Sequence, residues 1–173
     1  MGQISSVILD ATECNLNQWP LGGIRESAIG QKWTNRKLRE NVMQNFRAHP
    51  LESQFTFSRG TEIRRIEYVP STGLKVYVAD VYGRSGCMVS FDDTTGFRVL
   101  DERDLMEYWP VCSTPNGWLF DIKEGGWLDQ ERLRIGNNML SIYPDVKEYL
   151  ITGINECVSV FSTVNPELTH YQP

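Results

Sequence analysis

Apolar and polar residues alternate over three runs between Leu74 and Trp127: LKVYVADVYG, CMVSFDDTTGFRVLDERDLMEYW and NGWLFDIKEGGW. Successive side chains of a strand point to opposite faces, so alternation with period two predicts strands. This stretch reads as the antiparallel centre of a β-rich protein. In Leu74 to Tyr82, the cleanest run, Leu74, Val76 and Val78 lie on one phase while Tyr77, Ala79 and Val81 lie on the other. Two apolar faces predict a central strand covered on both sides. Cys87 to Phe91 pairs back across a turn at Gly83-Arg84-Ser85-Gly86, and Thr95 to Leu100 continues after a break at Asp92-Asp93, giving a three-stranded meander.

Upstream, residues 1–31 read as an irregular N-terminal segment, with ISSVIL as a possible strand and NQWPLGG as a turn. The period changes at Thr34 to His49. Leu38, Val42, Met43 and Phe46 make one apolar stripe, Thr34 or Asn35 can cap it, and Pro50 ends it. This is the one longer helix expected. QFTFS and EIRRIEYV return to strand composition. The Arg64-Arg65 pair interrupts alternation, which predicts a bulge or an edge position, and Pro70-Ser71-Thr72-Gly73 is a hairpin turn.

Downstream, Asp101 to Trp109 is a short helix capped by Asp101 and stopped by Pro110. WLFDI is a strand ended by Gly125-Gly126. Trp127 to Arg134 fits a strand or a helical turn, and Ile135 to Pro144 reads as loop. EYLITGINECVSVFS is a strand, a turn and a strong last strand, and residues 163–173 form a polar tail. The pattern predicts one domain over residues 1–173, α+β but mainly β. Its expected form is a single antiparallel sheet roll, or a sandwich or barrel, with one longer N-terminal helix and short ones. Without βαβ alternation a doubly wound nucleotide-binding fold is not expected.

Composition adds limits. At 173 residues the chain can bury a real core. Neither a membrane-length apolar run nor the basic and apolar regions of a signal peptide occur, which predicts a cytoplasmic protein. Cys14, Cys87, Cys112 and Cys157 are widely spaced and read as reduced, mostly buried thiols. The opening M-G-Q-I-S-S matches a myristoylation pattern but lacks the basic cluster that a stable anchor needs. The net charge of −5 is uneven. Residues 1–65 hold nine basic and six acidic residues, net +3, which leaves −8 on the remainder. That acidic part repels nucleic acid and attracts a basic partner.

Candidate chemistry is sparse. His49 and His170 are the only histidines and neither has candidate partners nearby in sequence, so no His-based triad or metal site is expected. No phosphate-binding glycine motif occurs, and Gly22-Gly23 and Gly125-Gly126 read as turns. No cofactor and no metal is expected. The acids form the one distinctive group: Asp92, Asp93, Asp101, Glu102, Asp104 and Glu107, followed by Asp121, Glu124, Asp129 and Glu131. Their spacing matches no calcium loop. Trp109 and Trp127 lie among them. Acids steer a basic partner and aromatics anchor it, so these twelve residues are the candidate partner-binding set.

The run Phe97-Arg98-Val99-Leu100-Asp101-Glu102, standing before an acidic segment that ends in Trp109, resembles a group of small bacterial β-rich proteins. WLFDIKEGGW and EYLITGINECVSVFS share the likeness, which covers roughly residues 74–162. The resemblance is to immunity proteins of contact-dependent inhibition and related polymorphic-toxin systems. It implies a protein that is not an enzyme and that binds and neutralises a cognate toxin, with a basic, nuclease-type toxin domain as the natural target of an acidic inhibitor. The alternative is a small carboxylate-lined β-barrel that binds a ligand or hydrolyses a substrate. It requires a pocket in which at least two acids converge.

Overall fold

The computed structural model describes residues 46–57 and 59–173. Among these, in chain order, the strands are β1 (Arg47–Pro50), β2 (Thr61–Val69), β3 (Gly73–Asp80), β4 (Gly86–Phe91), β5 (Gly96–Asp101), β6 (Leu119–Glu124), β7 (Lys147–Ile151), β8 (Glu156–Ser162) and β9 (Glu167–Tyr171). They form two antiparallel sheets, one in the order β1-β6-β7-β8-β5 and one in the order β2-β3-β4-β9. Three short helices, α1 (Trp109–Cys112), α2 (Trp127–Leu133) and α3 (Met139–Ile142), lie between β5 and β7 in sequence.

Alternation explains the layers. Leu74, Val76 and Val78 of β3 and Cys87, Val89 and Phe91 of β4 pack on Leu119, Tyr149, Ile151, Val158 and Val160 of the five-stranded sheet, making the core between the sheets. The other phase of that sheet faces the helices. Phe120, Ile122, Leu150 and Cys157 meet Leu105, Tyr108 and Cys112, and Phe161 meets Leu128 and Val146. The five-stranded sheet is therefore covered on both faces, and the mainly β expectation takes the form of two sheets rather than a closed barrel.

Turn chemistry follows the sequence. Gly73 takes φ +81° at the β2–β3 turn, and the register slips between Ile63 and Arg65, at the interrupted alternation. The freed Arg65 lays its guanidinium 3.9 Å from the Tyr77 ring centroid on the outer face of the four-stranded sheet. The apolar outer phase of β3 is thus shielded by neighbouring side chains, including Tyr171 at 5.0 Å, and not by a further layer of the described residues.

Several expectations are corrected. The helix over Thr34 to His49 falls mostly outside the described residues, but its last turn is not helical. Arg47–Pro50 pairs with β6 as a strand, and Pro50 at the strand end loses little by lacking an N–H. The meander is β2-β3-β4. β5 leaves it and pairs with β8 in the other sheet. Asp101 does cap, accepting from the Arg103 N–H, but the turn it caps is a 3-10 helix over Glu102–Leu105. Pro110 lies in the first turn of α1, where a missing N–H is harmless, and so does not stop a helix. Trp127–Leu133 resolves to helix, the 135–144 loop contains α3, and the polar tail contains β9, paired with β4.

Cys87, Cys112 and Cys157 are free and buried. Burial pushes the Cys87 and Cys112 thiols up to about 12 and that of Cys157 to about 11. All three stay protonated at neutral pH, and the thiolate is the reactive form. Alkylation mapped by peptide mass spectrometry is expected to reach these three only after denaturant is added. Rapid labelling in native buffer would contradict their burial.

Candidate functional site

β5 organises the upstream acids. Among the described residues it is an edge strand, paired only with β8. Asp92 and Asp93 precede it; Asp101, Glu102, Asp104 and Glu107 follow it. A six-residue strand is about 20 Å long, so the acids form two groups at its opposite ends. The Glu102 N–H donates to the Asn155 carbonyl at 2.9 Å. Hydrogen-bonded pairs alternate in an antiparallel ladder, so the even-numbered residues of β5 point their backbone at β8. The backbone groups of Phe97, Val99 and Asp101 point outward. Val99 is exposed on this edge, and the Phe97 ring lies 5.2 Å from that of the exposed Tyr68.

The two groups differ in their partners. The Asp101 carboxylate accepts from Arg103 Nε at 2.8 Å and Nη2 at 2.7 Å, and this pairing holds its carboxyl well below the usual carboxylate range. Asp93 accepts from the Thr163 hydroxyl. Glu102 accepts the Trp109 indole N–H on its backbone carbonyl at 3.1 Å. Among the described residues, Asp92, Asp93, Glu102, Asp104 and Glu107 make no salt bridge.

The downstream acids are all matched. Asp121 meets Lys123 at 2.5 Å, Glu124 meets Arg47, Asp129 meets Arg132 at 2.9 Å and Glu131 meets Arg134 at 2.5 Å. Asp129 also accepts the Gly125 N–H and Glu131 the Trp127 indole N–H. Bonds from Arg47 and Arg134 lower the Glu124 and Glu131 carboxyls. β6, which carries Asp121 and Glu124, lies three strand spacings from β5, about 14 Å away. The ten acids thus do not share one continuous face. Trp109 and Trp127 are half-buried and engaged: Trp109 packs against the core under the helices, and Trp127 stacks on Phe161 at 3.8 Å.

The sequence reading missed a polar cluster between the five-stranded sheet and the helices. Glu148 is fully buried, and its Oε2 accepts the Leu128 N–H at 2.7 Å at the start of α2. The Tyr108 hydroxyl, 3.4 Å from Glu148 Oε1, is also 3.4 Å from Arg98 Nη2. The Arg98 guanidinium sits 4.7 Å from the centroid of Trp127. Burial raises the Glu148 carboxyl despite the backbone N–H groups of Leu128 and Trp127 and the nearby Arg98. Gly126 makes the arrangement possible, since a Cβ there would lie 2.5 Å from Glu148 Oε2 and 2.6 Å from Ile122 Cγ2. The signal was present: Glu148 shares the strand phase of the apolar Leu150.

Three surface hollows of about 500, 310 and 270 Å³ occur among the described residues. Among the described residues, Asp80 is the only acid lining the first, Glu102 the only acid lining the second, and the third has none. His49 and His170 lie on different sheets, and no group of three potential metal ligands occurs among the described residues. No helix among them is long and apolar enough to cross a membrane. Comparison with protein-family models, with curated proteins and with solved structures gives no match.

Proposed function

We propose that this chain is a cytoplasmic immunity factor, a binding protein that neutralises a basic toxin domain through the acids flanking β5. The observation that supports the reading is the difference between the two acid groups. Downstream, every carboxylate of the candidate set already has a cation, so a partner would have to displace it. Around β5, Asp92, Asp93, Glu102, Asp104 and Glu107 make no salt bridge among the described residues, and they bracket a strand that, among those residues, is paired on one side only. Unmatched surface charge accelerates encounter with an oppositely charged partner, and an open edge can accept an extended segment. The enclosed two-carboxylate site of the alternative reading has no support in the described residues, because the fully buried Glu148 is engaged with the backbone of α2.

Capture at low and at high salt, read together with the product of the neighbouring reading frame, supplies the partner. The triple variant Asp92→Lys, Asp104→Lys, Glu107→Lys is then expected to associate at least about tenfold more slowly at low salt, and the difference should shrink at high salt. Reversal of Glu167, exposed on β9 in the other sheet, should leave association unchanged. Equal rates for the triple variant and the native protein would sink the assignment of this face.

A further inference from the structure

The four-stranded sheet carries a charge feature of opposite sign at its β3–β4 turn. Arg59, in the loop before β2, donates to the Tyr82 hydroxyl at 2.6 Å. Its guanidinium carbon lies 5.6 Å from the Tyr82 ring centroid, and that of Arg84, on the turn, lies 5.4 Å from the same centroid. These side chains line the largest of the three hollows, about 500 Å³, together with Thr56, Phe57 and Asp80. That size suits a small organic ligand.

The charges are poised toward the hollow. Neither Arg59 nor Arg84 forms a salt bridge among the described residues. The acid beside them, Asp80, faces the turn itself. It accepts from the Tyr82 N–H at 2.8 Å, the Arg84 N–H at 3.0 Å and the Ser85 hydroxyl at 3.1 Å. Arg64, close to Gly83, is matched by Glu62 at 2.8 Å. Two like charges held over one ring repel each other, and an anion between them would relieve this. Because the Tyr82 oxygen accepts from Arg59, its own proton is free to donate.

We propose that this hollow is an oxyanion-binding site for a small phosphate- or carboxylate-bearing molecule. The oxyanion bridges the guanidiniums of Arg59 and Arg84 and accepts the Tyr82 proton, and the less polar part of the ligand rests against Phe57. Planar guanidinium groups match either oxyanion through paired N–H donors. The site is separate from the β5 edge and does not depend on how that edge is used.

The test is calorimetric titration of the full chain with inorganic phosphate, pyrophosphate and citrate at low ionic strength. Binding of at least one probe is expected. Arg59→Gln or Arg84→Gln should each weaken it about tenfold or more, Tyr82→Phe should weaken it less, and the double arginine variant should abolish it. Arg132→Gln, on α2, should bind as the native protein does. These arginines are exposed, and matching thermal melts will show that the variants fold. A response confined to the phosphates assigns a phosphorylated ligand, and one confined to citrate assigns a carboxylate. Failure of all three probes to bind, unchanged affinity in the double variant, or an equal loss in Arg132→Gln would overturn the site.

Discussion

Gly73→Ala is expected to destabilise the fold by about 3 kcal/mol, lowering the melting temperature by roughly 6–12 °C for a chain of this size. Two effects combine. Gly73 holds φ +81°, where an L side chain costs about 1–2 kcal/mol. A Cβ there would also stand 1.9 Å from the backbone carbonyl oxygen of Phe91 on β4. That atom belongs to a paired strand and not to a flexible side chain, so relief requires β3 and β4 to separate. Gly136 supplies the control, with the same φ of +81° but nothing within 4 Å of its Cβ position. Gly136→Ala should cost only the backbone strain, about 1 kcal/mol. Equal melting temperatures for the two variants would show that β3 and β4 do not approach so closely at Gly73.

The second large effect concerns Glu148. Its carboxyl is raised in the folded protein, with burial the leading cause. The folded state therefore holds this proton more tightly than the unfolded chain does. The group's favourable contribution is fully present below the ordinary glutamate value and is lost as pH rises through the raised one. Each unit of elevation corresponds to about 1.4 kcal/mol of penalty at neutral pH. Glu148→Gln removes the titration while keeping an acceptor for the Leu128 N–H. Relative to the native protein it should gain stability as the pH goes from about 4 to about 7, read as the difference between two melting curves so that other carboxyls cancel. Glu148→Ala should instead lose about 2–4 kcal/mol near pH 4, because it leaves a cavity and an unpaired buried N–H, and should recover part of that loss as the pH rises, since it too removes the titration. Melting temperatures of Glu148→Gln and the native protein that run parallel across this range would mean that Glu148 does not titrate in a buried setting.

The elements that alternation and turn chemistry encode were legible in the sequence. The phases of β3, β4, β6 and β8, the Pro70–Gly73 and Gly83–Gly86 turns, the Asp101 cap and the bulge beside Arg64 all follow from local residues. Strand partnership was not legible. Alternation states which face a residue takes but not which strand lies beside it, so β5 read as a continuation of the meander when it pairs with β8. β9 was missed because, in an edge strand of Glu167, Leu168, Thr169, His170 and Tyr171, only two residues are apolar. The local pattern places Arg47 to His49 in a helix ended by Pro50, because the pairing of this segment with β6 is set by residues far along the chain. The candidate acids were visible individually, but their neutralisation was not. Arg47 and Glu124 are 77 positions apart. Glu148 shares the strand phase of Leu150, but deciding that this phase is covered needs the layer above it.

The departure of β5 from the meander divides the assembly of the protein into a local and a distant part. The β2-β3-β4 hairpins close over short turns, whereas β1 must find β6 and β5 must find β8 across long stretches of chain. Closing long loops costs more entropy before any contact repays it. The three-stranded unit around Gly73 thus carries the lower closure cost, and the pairing of β5 with β8 the higher.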